Sequence, residues 1–217
     1  MAFAVGDGWR QDNPTTGTKR IKSRTDGFHT WTEEEIAQFE AVHPVGGKAR
    51  LALALLLYTP QRRSDVVGIG RQHIRNGVLH IKQKKTGASL AIPVHPELAR
   101  IIAATPSGNL TLLTTSFGKT FTAAGFGNWF RERCNEAQLP GHCAAHGLRK
   151  AACRRLAEAG CSANVIASIS GHRTLTEVSR YTRAADQERL ARAGVAAITG
   201  TESVNYAETV DKSAKYR

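Results

Sequence analysis

The run His73-Ile74-Arg75-Asn76-Gly77-Val78-Leu79-His80-Ile81 continues through Lys82-Gln83-Lys84-Lys85-Thr86-Gly87-Ala88 into Ser89-Leu90-Ala91-Ile92-Pro93-Val94. Asn-Gly between alternating apolar and polar residues is the strongest short-range hairpin signal, because both positions of a tight type I′ turn need positive φ. A second turn at Lys84-Lys85-Thr86-Gly87 then gives a small three-stranded antiparallel sheet with Lys85 at that turn. From Pro96 onward the pattern is mostly helical, so the fold class is α+β, mainly helical, with one small sheet.

Working back from the sheet, Thr32 followed by Glu33, Glu34 and Glu35 forms a capping box that starts a helix running to about His43. Lys48 to Tyr58 is apolar on most faces and reads as a central core helix, stopped by Pro60. Working forward, helices are expected near Pro96 to Ala104, Thr120 to Glu136, Ala144 to Ala159, Ser162 to Ser170 and Leu175 to Tyr181, then Ala185 to Ile198. Gly160 and Gly171 stand at C-cap positions, and Ser162 and the pair Thr174 and Glu177 at N-caps. Residues 1–29, with the turn signal Asp12-Asn13-Pro14, read as a linker or arm; residues 30–198 form the domain; 199–217 are a polar tail.

A chain of 217 residues with 41% hydrophobic side chains suffices for one substantial core. Thirty Lys and Arg against 18 Asp and Glu give a formal charge of +12, which favours a polyanion, double-stranded DNA foremost, over a small neutral ligand. No apolar run is long enough to span a membrane, and the start lacks the layout of a secretory signal, so a cytoplasmic, nucleoid-associated protein is expected. Cys134, Cys143, Cys153 and Cys161 lack the paired short spacing of metal knuckles and read as small buried hydrophobes. His142, Cys143 and His146 would hold zinc only if further ligands converged on them, so no metal and no cofactor is expected.

Four places carry residues suited to phosphate chemistry. Arg62, after the core helix, can offer paired donors to phosphate oxygens, although alone it reads as a surface arginine. Lys85 reads equally as a solvated turn lysine. His146 and Arg149 lie three apart on one helix face, within reach of one anion, or within a plain polar stripe. His172 projects from the turn after Gly171, and Tyr181 follows nine residues later, a core tyrosine if considered by itself.

Together, Gly171-His172-Arg173 through Tyr181-Thr182-Arg183, His146-Gly147-Leu148-Arg149 and Thr59 to Asp65 resemble the tyrosine recombinase (phage integrase) family over roughly Thr30 to Val195. The resemblance implies a tyrosine recombinase catalytic domain and a catalytic set of Arg62, Lys85, His146, Arg149, His172 and Tyr181, with Asp65 in a supporting acidic position. It implies that Tyr181 attacks phosphorus to give a 3′-phosphotyrosine and a free 5′-hydroxyl. Arg62 and Arg149 would hold the non-bridging oxygens, Lys85 would act as general acid, His146 would assist proton transfer and His172 would bond the phosphate. Pro60 departs from the family's usual glycine. The family also generally carries a further helical DNA-binding domain ahead of the catalytic one, so the chain resembles an isolated catalytic domain.

Other readings stay open at this level. Arg155 to Ile166 reads locally as helix-turn-helix, which a non-catalytic regulator would use. A type IB topoisomerase shares the chemistry without synapsis, and a DNA-coating protein would explain the charge alone. The helix from Ala185 to Ile198 either packs on its own domain or, as the resemblance implies, docks on a neighbouring protomer within a tetramer on DNA. The source is expected to be bacterial, phage or mobile-element DNA.

Overall fold

The computed structural model describes residues 1–18, 27–107 and 110–199. After a short exposed helix, α1 (Ala2–Gly6), the folded body begins at α2 (Glu33–Val42) and α3 (Lys48–Tyr58). A one-turn α4 (Arg63–Val66) and a 3-10 turn lead into β1 (Ile74–Arg75), β2 (Val78–Lys82) and β3 (Ser89–Pro93). Then follow α5 (Pro96–Ala104), α6 (Ala123–Glu136), α7 (Ala145–Glu158), α8 (Ala163–Ser170) and α9 (Leu175–Thr199).

The expected capping box forms: Glu35 N donates to Thr32 Oγ1 at 3.2 Å and Thr32 N donates to Glu35 Oε2 at 2.9 Å. Every residue of α3 from Leu51 to Leu57 is buried, so this helix is the axis on which α5, α6 and α7 pack. Trp31, Phe39, Phe126 and Phe130 fill the space beside it, with Phe39 and Phe130 stacked at 5.4 Å between centroids. Burying such side chains contributes about 1.5–3 kcal/mol each before conformational entropy is subtracted. Gly147 lets α7 run hard against residues 29–31: a Cβ there would sit 2.3 Å from His29 O and 2.7 Å from Trp31 Cδ1.

The sheet has the expected order β1-β2-β3, antiparallel throughout, with Leu79 opposite Ile92 on the inner face. Asn76 and Gly77 take φ of 50° and 73°, the two positive values that a type I′ turn requires.

Several expectations need correction. The helices expected at Leu175 to Tyr181 and Ala185 to Ile198 are one continuous α9, because Thr182-Arg183-Ala184 contains neither glycine nor proline to end the first. The helix expected from Thr120 starts at Ala123, since the Thr122 side chain accepts from Gly125 N and caps it there, while Thr120 bridges to Thr114. The arm contains α1, and the one-turn α4 had no periodicity long enough to signal it. Thr174 leads into α9 through its backbone carbonyl, which accepts from Glu177 N. The tail from residue 200 onward lies outside the described residues. All four cysteines are free; Cys161 is half-buried and the other three are buried. No helix among the described residues is long and apolar enough to cross a membrane.

Candidate active site

Three loops and two helix starts meet beside the end of α8. The Arg149 guanidinium, 2% exposed, projects from α7 and donates from one nitrogen to Pro60 O at 2.6 Å and Ser170 O at 2.9 Å. Its other terminal nitrogen lies 3.0 Å from His172 Nε2. Three acceptors from two segments, the loop after α3 and the end of α8, thus fix the orientation of this side chain, which a lysine with one nitrogen could not copy.

His172 is oriented from the other side, its Nδ1 lying 2.6 Å from Ser170 Oγ. The Ser170 hydroxyl proton goes to Ile166 O at 2.6 Å, so the hydrogen-bond pattern assigns the remaining proton to His172 Nδ1 and leaves Nε2 as acceptor of the Arg149 bond. Burial, and then the Arg149 charge, push the His172 pKa down to about 4. Gly171, at φ 70°, supplies the left-handed C-cap that turns the chain out of α8 toward His172.

Tyr181 lies in the second turn of α9, half-buried, its ring 6.3 Å from that of His172. Burial, with a contribution from the Cys153 thiol, raises its hydroxyl pKa against the lowering effect of Arg149. In the free protein the phenol is therefore protonated and harder to ionise than an exposed one.

A buried amide pair organises the Arg62 side of the site. Gln83 Nε2 donates to Gln61 Oε1 at 2.6 Å and to Ser170 O at 2.9 Å. Its Oε1 accepts from Arg62 at 3.1 Å and from Thr86 Oγ1 at 2.7 Å, so every site on the amide is used. Gln61 in turn donates to Thr59 O and Ile169 O. The loop after α3, the sheet and the end of α8 are thereby joined through two buried carboxamides.

The turn carrying Lys85 is held from two directions. Asp65 Oδ1 accepts from Lys84 N at 2.9 Å, and Arg173 donates to Thr86 O at 3.0 Å. The Lys85 side chain is exposed and lines a cleft of about 520 Å³ together with Arg62, Arg63, Phe28 and His146. His146 sits against Phe28, ring centroids 4.6 Å apart, and partial burial followed by the charges of Arg149, Lys150, Arg62 and Arg63 lowers its pKa.

All six residues singled out from the sequence therefore border one region: Arg149, His172 and Tyr181 on its inner side, Arg62, Lys85 and His146 on the cleft. Asp65 stands behind the Lys85 turn. Sequence reasoning missed Gln61, Gln83 and Ser170. Gln83 was signalled, since it continues the inward phase of Leu79 and Ile81 at period two, and Ser170 follows buried Ile166 by one helical turn.

Comparison with known proteins bears on the same region. The phage integrase family is matched over residues 31–188. The integrase of Escherichia phage HK022 is 36% identical over 91 residues, 42% of this chain and 26% of that protein. A shufflon-specific DNA recombinase of Escherichia coli is 33% identical over 132 residues, 59% of this chain and 33% of the relative. The chain thus spans a quarter to a third of the length of these relatives. A crystal structure of a lambda integrase (75–356) dimer bound to a COC′ core site superposes with a TM-score of 0.67 at 22% identity, covering 83% of this chain and 68% of that one, a likeness of fold. With fold and family match agreeing across the segment that contains every site residue, the chain belongs to the phage integrase family.

Proposed function

We propose that this chain is the catalytic domain of a site-specific DNA recombinase that cleaves and rejoins strands through a covalent 3′-phosphotyrosyl intermediate. The observation that carries the reading is the meeting of Arg149, His172 and Tyr181, oriented by buried hydrogen bonds, beside a cleft bordered by Arg62, Lys85 and His146.

In this reading Arg62 and Arg149 bind the non-bridging oxygens of the scissile phosphate. Each charge-assisted bond contributes about 1.5–3 kcal/mol, against the roughly 4 kcal/mol needed to ionise an ordinary tyrosine at pH 7. Tyr181 Oη forms a bond to phosphorus as the bond to the 5′-oxygen breaks. Lys85, at the exposed turn, delivers a proton to that leaving oxygen, and His146 helps to remove the Tyr181 proton. The phosphodiester energy is kept in the phosphotyrosine, so attack by a 5′-hydroxyl reverses the step with no nucleotide.

His172 changes role on binding. With Nε2 accepting from Arg149, it has no proton to offer a phosphate; a bound anion beside the ring would offset both the burial and the Arg149 charge that keep it neutral, so that Nε2 takes up a proton and donates. DNA is the partner, gripped mainly through its phosphates and therefore with steep salt dependence. A lambda integrase dimer is bound to a core site in the matching structure, and self-association of this chain on DNA, up to a tetramer with α9 exchanged between protomers, belongs to the same reading.

The test uses a DNA substrate nicked beside the scissile position, so that the cleaved fragment diffuses away and the adduct accumulates. A denaturation-resistant protein–DNA band that is lost in Tyr181→Phe, with DNA binding retained, is the expected result. A band that survives Tyr181→Phe removes Tyr181 from the role. No band on a site that a full-length relative does cleave leaves a binding domain, to which the helix-turn-helix reading of Arg155 to Ile166 would then apply.

A further inference from the structure

At one wall of the cleft, where Cys143 lines it, four side chains that bind transition metals converge where the segment leading into α2 meets the loop before α7. His29 Nε2 lies 3.0 Å from Glu35 Oε1 and 2.8 Å from Oε2. His142 Nε2 lies 3.5 Å from Glu35 Oε1. Cys143, fully buried, holds its thiol within 4.8 Å of the same carboxylate. One donor atom from each of His29, Glu35, His142 and Cys143 lies within 4.8 Å of all the others.

We propose that these four residues form a structural binding site for a tetrahedral transition metal, with zinc the best fit. Metal–nitrogen, metal–oxygen and metal–sulfur distances of about 2.0–2.3 Å put neighbouring ligand atoms of a tetrahedron about 3.4–3.8 Å apart. The 3.5 Å separation falls on that edge, the 3.0 Å one is shorter and all four donors lie within 4.8 Å, so side-chain shifts are needed to open the centre. Two imidazoles, a thiolate and a carboxylate match zinc or cobalt, whereas magnesium and calcium select oxygen ligands. Charge also closes: a divalent ion is balanced by one thiolate and one carboxylate.

Burial opposes ionisation of Glu35, but hydrogen bonds from His29 and Thr32 N outweigh it and hold the carboxyl below its usual range. Thr32 N occupies Oε2, which leaves Oε1, the oxygen facing both imidazoles, as the ligand atom. Binding would require the buried Cys143 thiol to lose its proton. No metal was expected from the sequence grouping of His142, Cys143 and His146; two of those three, His142 and Cys143, converge with His29 and Glu35, and His146 does not.

Such a metal would clamp His29 and α2 to the loop that aims α7, the helix carrying His146 and Arg149. The experiment is a Co(II) titration of the chelator-stripped whole chain, read by absorbance. Saturation at one equivalent is expected, with a thiolate charge-transfer band in the near ultraviolet and the intense visible bands of tetrahedral cobalt, all removed by added Zn(II). His142 is exposed, so His142→Ala should fold normally and weaken cobalt affinity by at least about tenfold. Cys143→Ser should abolish the charge-transfer band. Absence of that band in the wild-type chain, or undiminished cobalt affinity in His142→Ala, would overturn the proposal and leave an ion-paired cluster.

Discussion

His172 Nε2 accepts a hydrogen bond from the Arg149 guanidinium at 3.0 Å, so in the DNA-free fold the imidazole is neutral. Folding lowers its pKa from 6.5 to about 4, which means the unfolded chain binds the extra proton first as the pH falls. The stabilising contribution is complete above about 6.5 and is lost as the pH drops from there toward 4; His146, also lowered, adds to the same slope. Urea midpoints of the wild-type chain should therefore fall between pH 7 and pH 5, and His172→Gln should fall less. Equal slopes in the two proteins would show that His172 is not the titrating group.

Gln83 spends all four of its hydrogen-bonding positions inside the fold, and Gln83→Leu leaves the Gln61 carboxamide oxygen without its donor. The expected cost is about 2 kcal/mol, measured by urea unfolding, because a buried polar atom loses its partner without regaining water. Arg62 also loses the acceptor that orients it. Adduct formation should then drop by about tenfold while DNA affinity changes little, since truncating a positioning contact affects the aligned state more than the bound one.

The sheet, the capping box of α2 and the all-buried α3 could be read directly because each follows from local chemistry: a turn dipeptide, a reciprocal cap, an apolar run. The residues Arg62, Lys85, His146, Arg149, His172 and Tyr181 stood out only through their resemblance to a family pattern, since each taken alone has an ordinary structural reading; the fold brings them to one region. What stayed hidden depended on contacts distant in sequence. Gln61 and Gln83 meet only after the hairpin folds over the loop behind α3, and His29 meets Cys143 only once Gly147 lets α7 close on residues 29–31. The division of α9 into two helices failed for another reason: the expected break rested on no breaker residue.

That unbroken helix has a mechanical consequence. At 1.5 Å per residue, the part of α9 beyond Tyr181 projects about 27 Å, while the tyrosine hydroxyl stands about 6 Å from the helix axis. The near end is pinned against α7 and α8, so the rod works as a lever with a ratio of about four. A sideways pull of about 4 Å at its far end swings the hydroxyl by roughly 1 Å, a misplacement that costs on the order of a hundredfold in rate. On the proposed reading of Tyr181 as nucleophile, whatever grasps the distal end of α9 would hold a throttle on it without touching it.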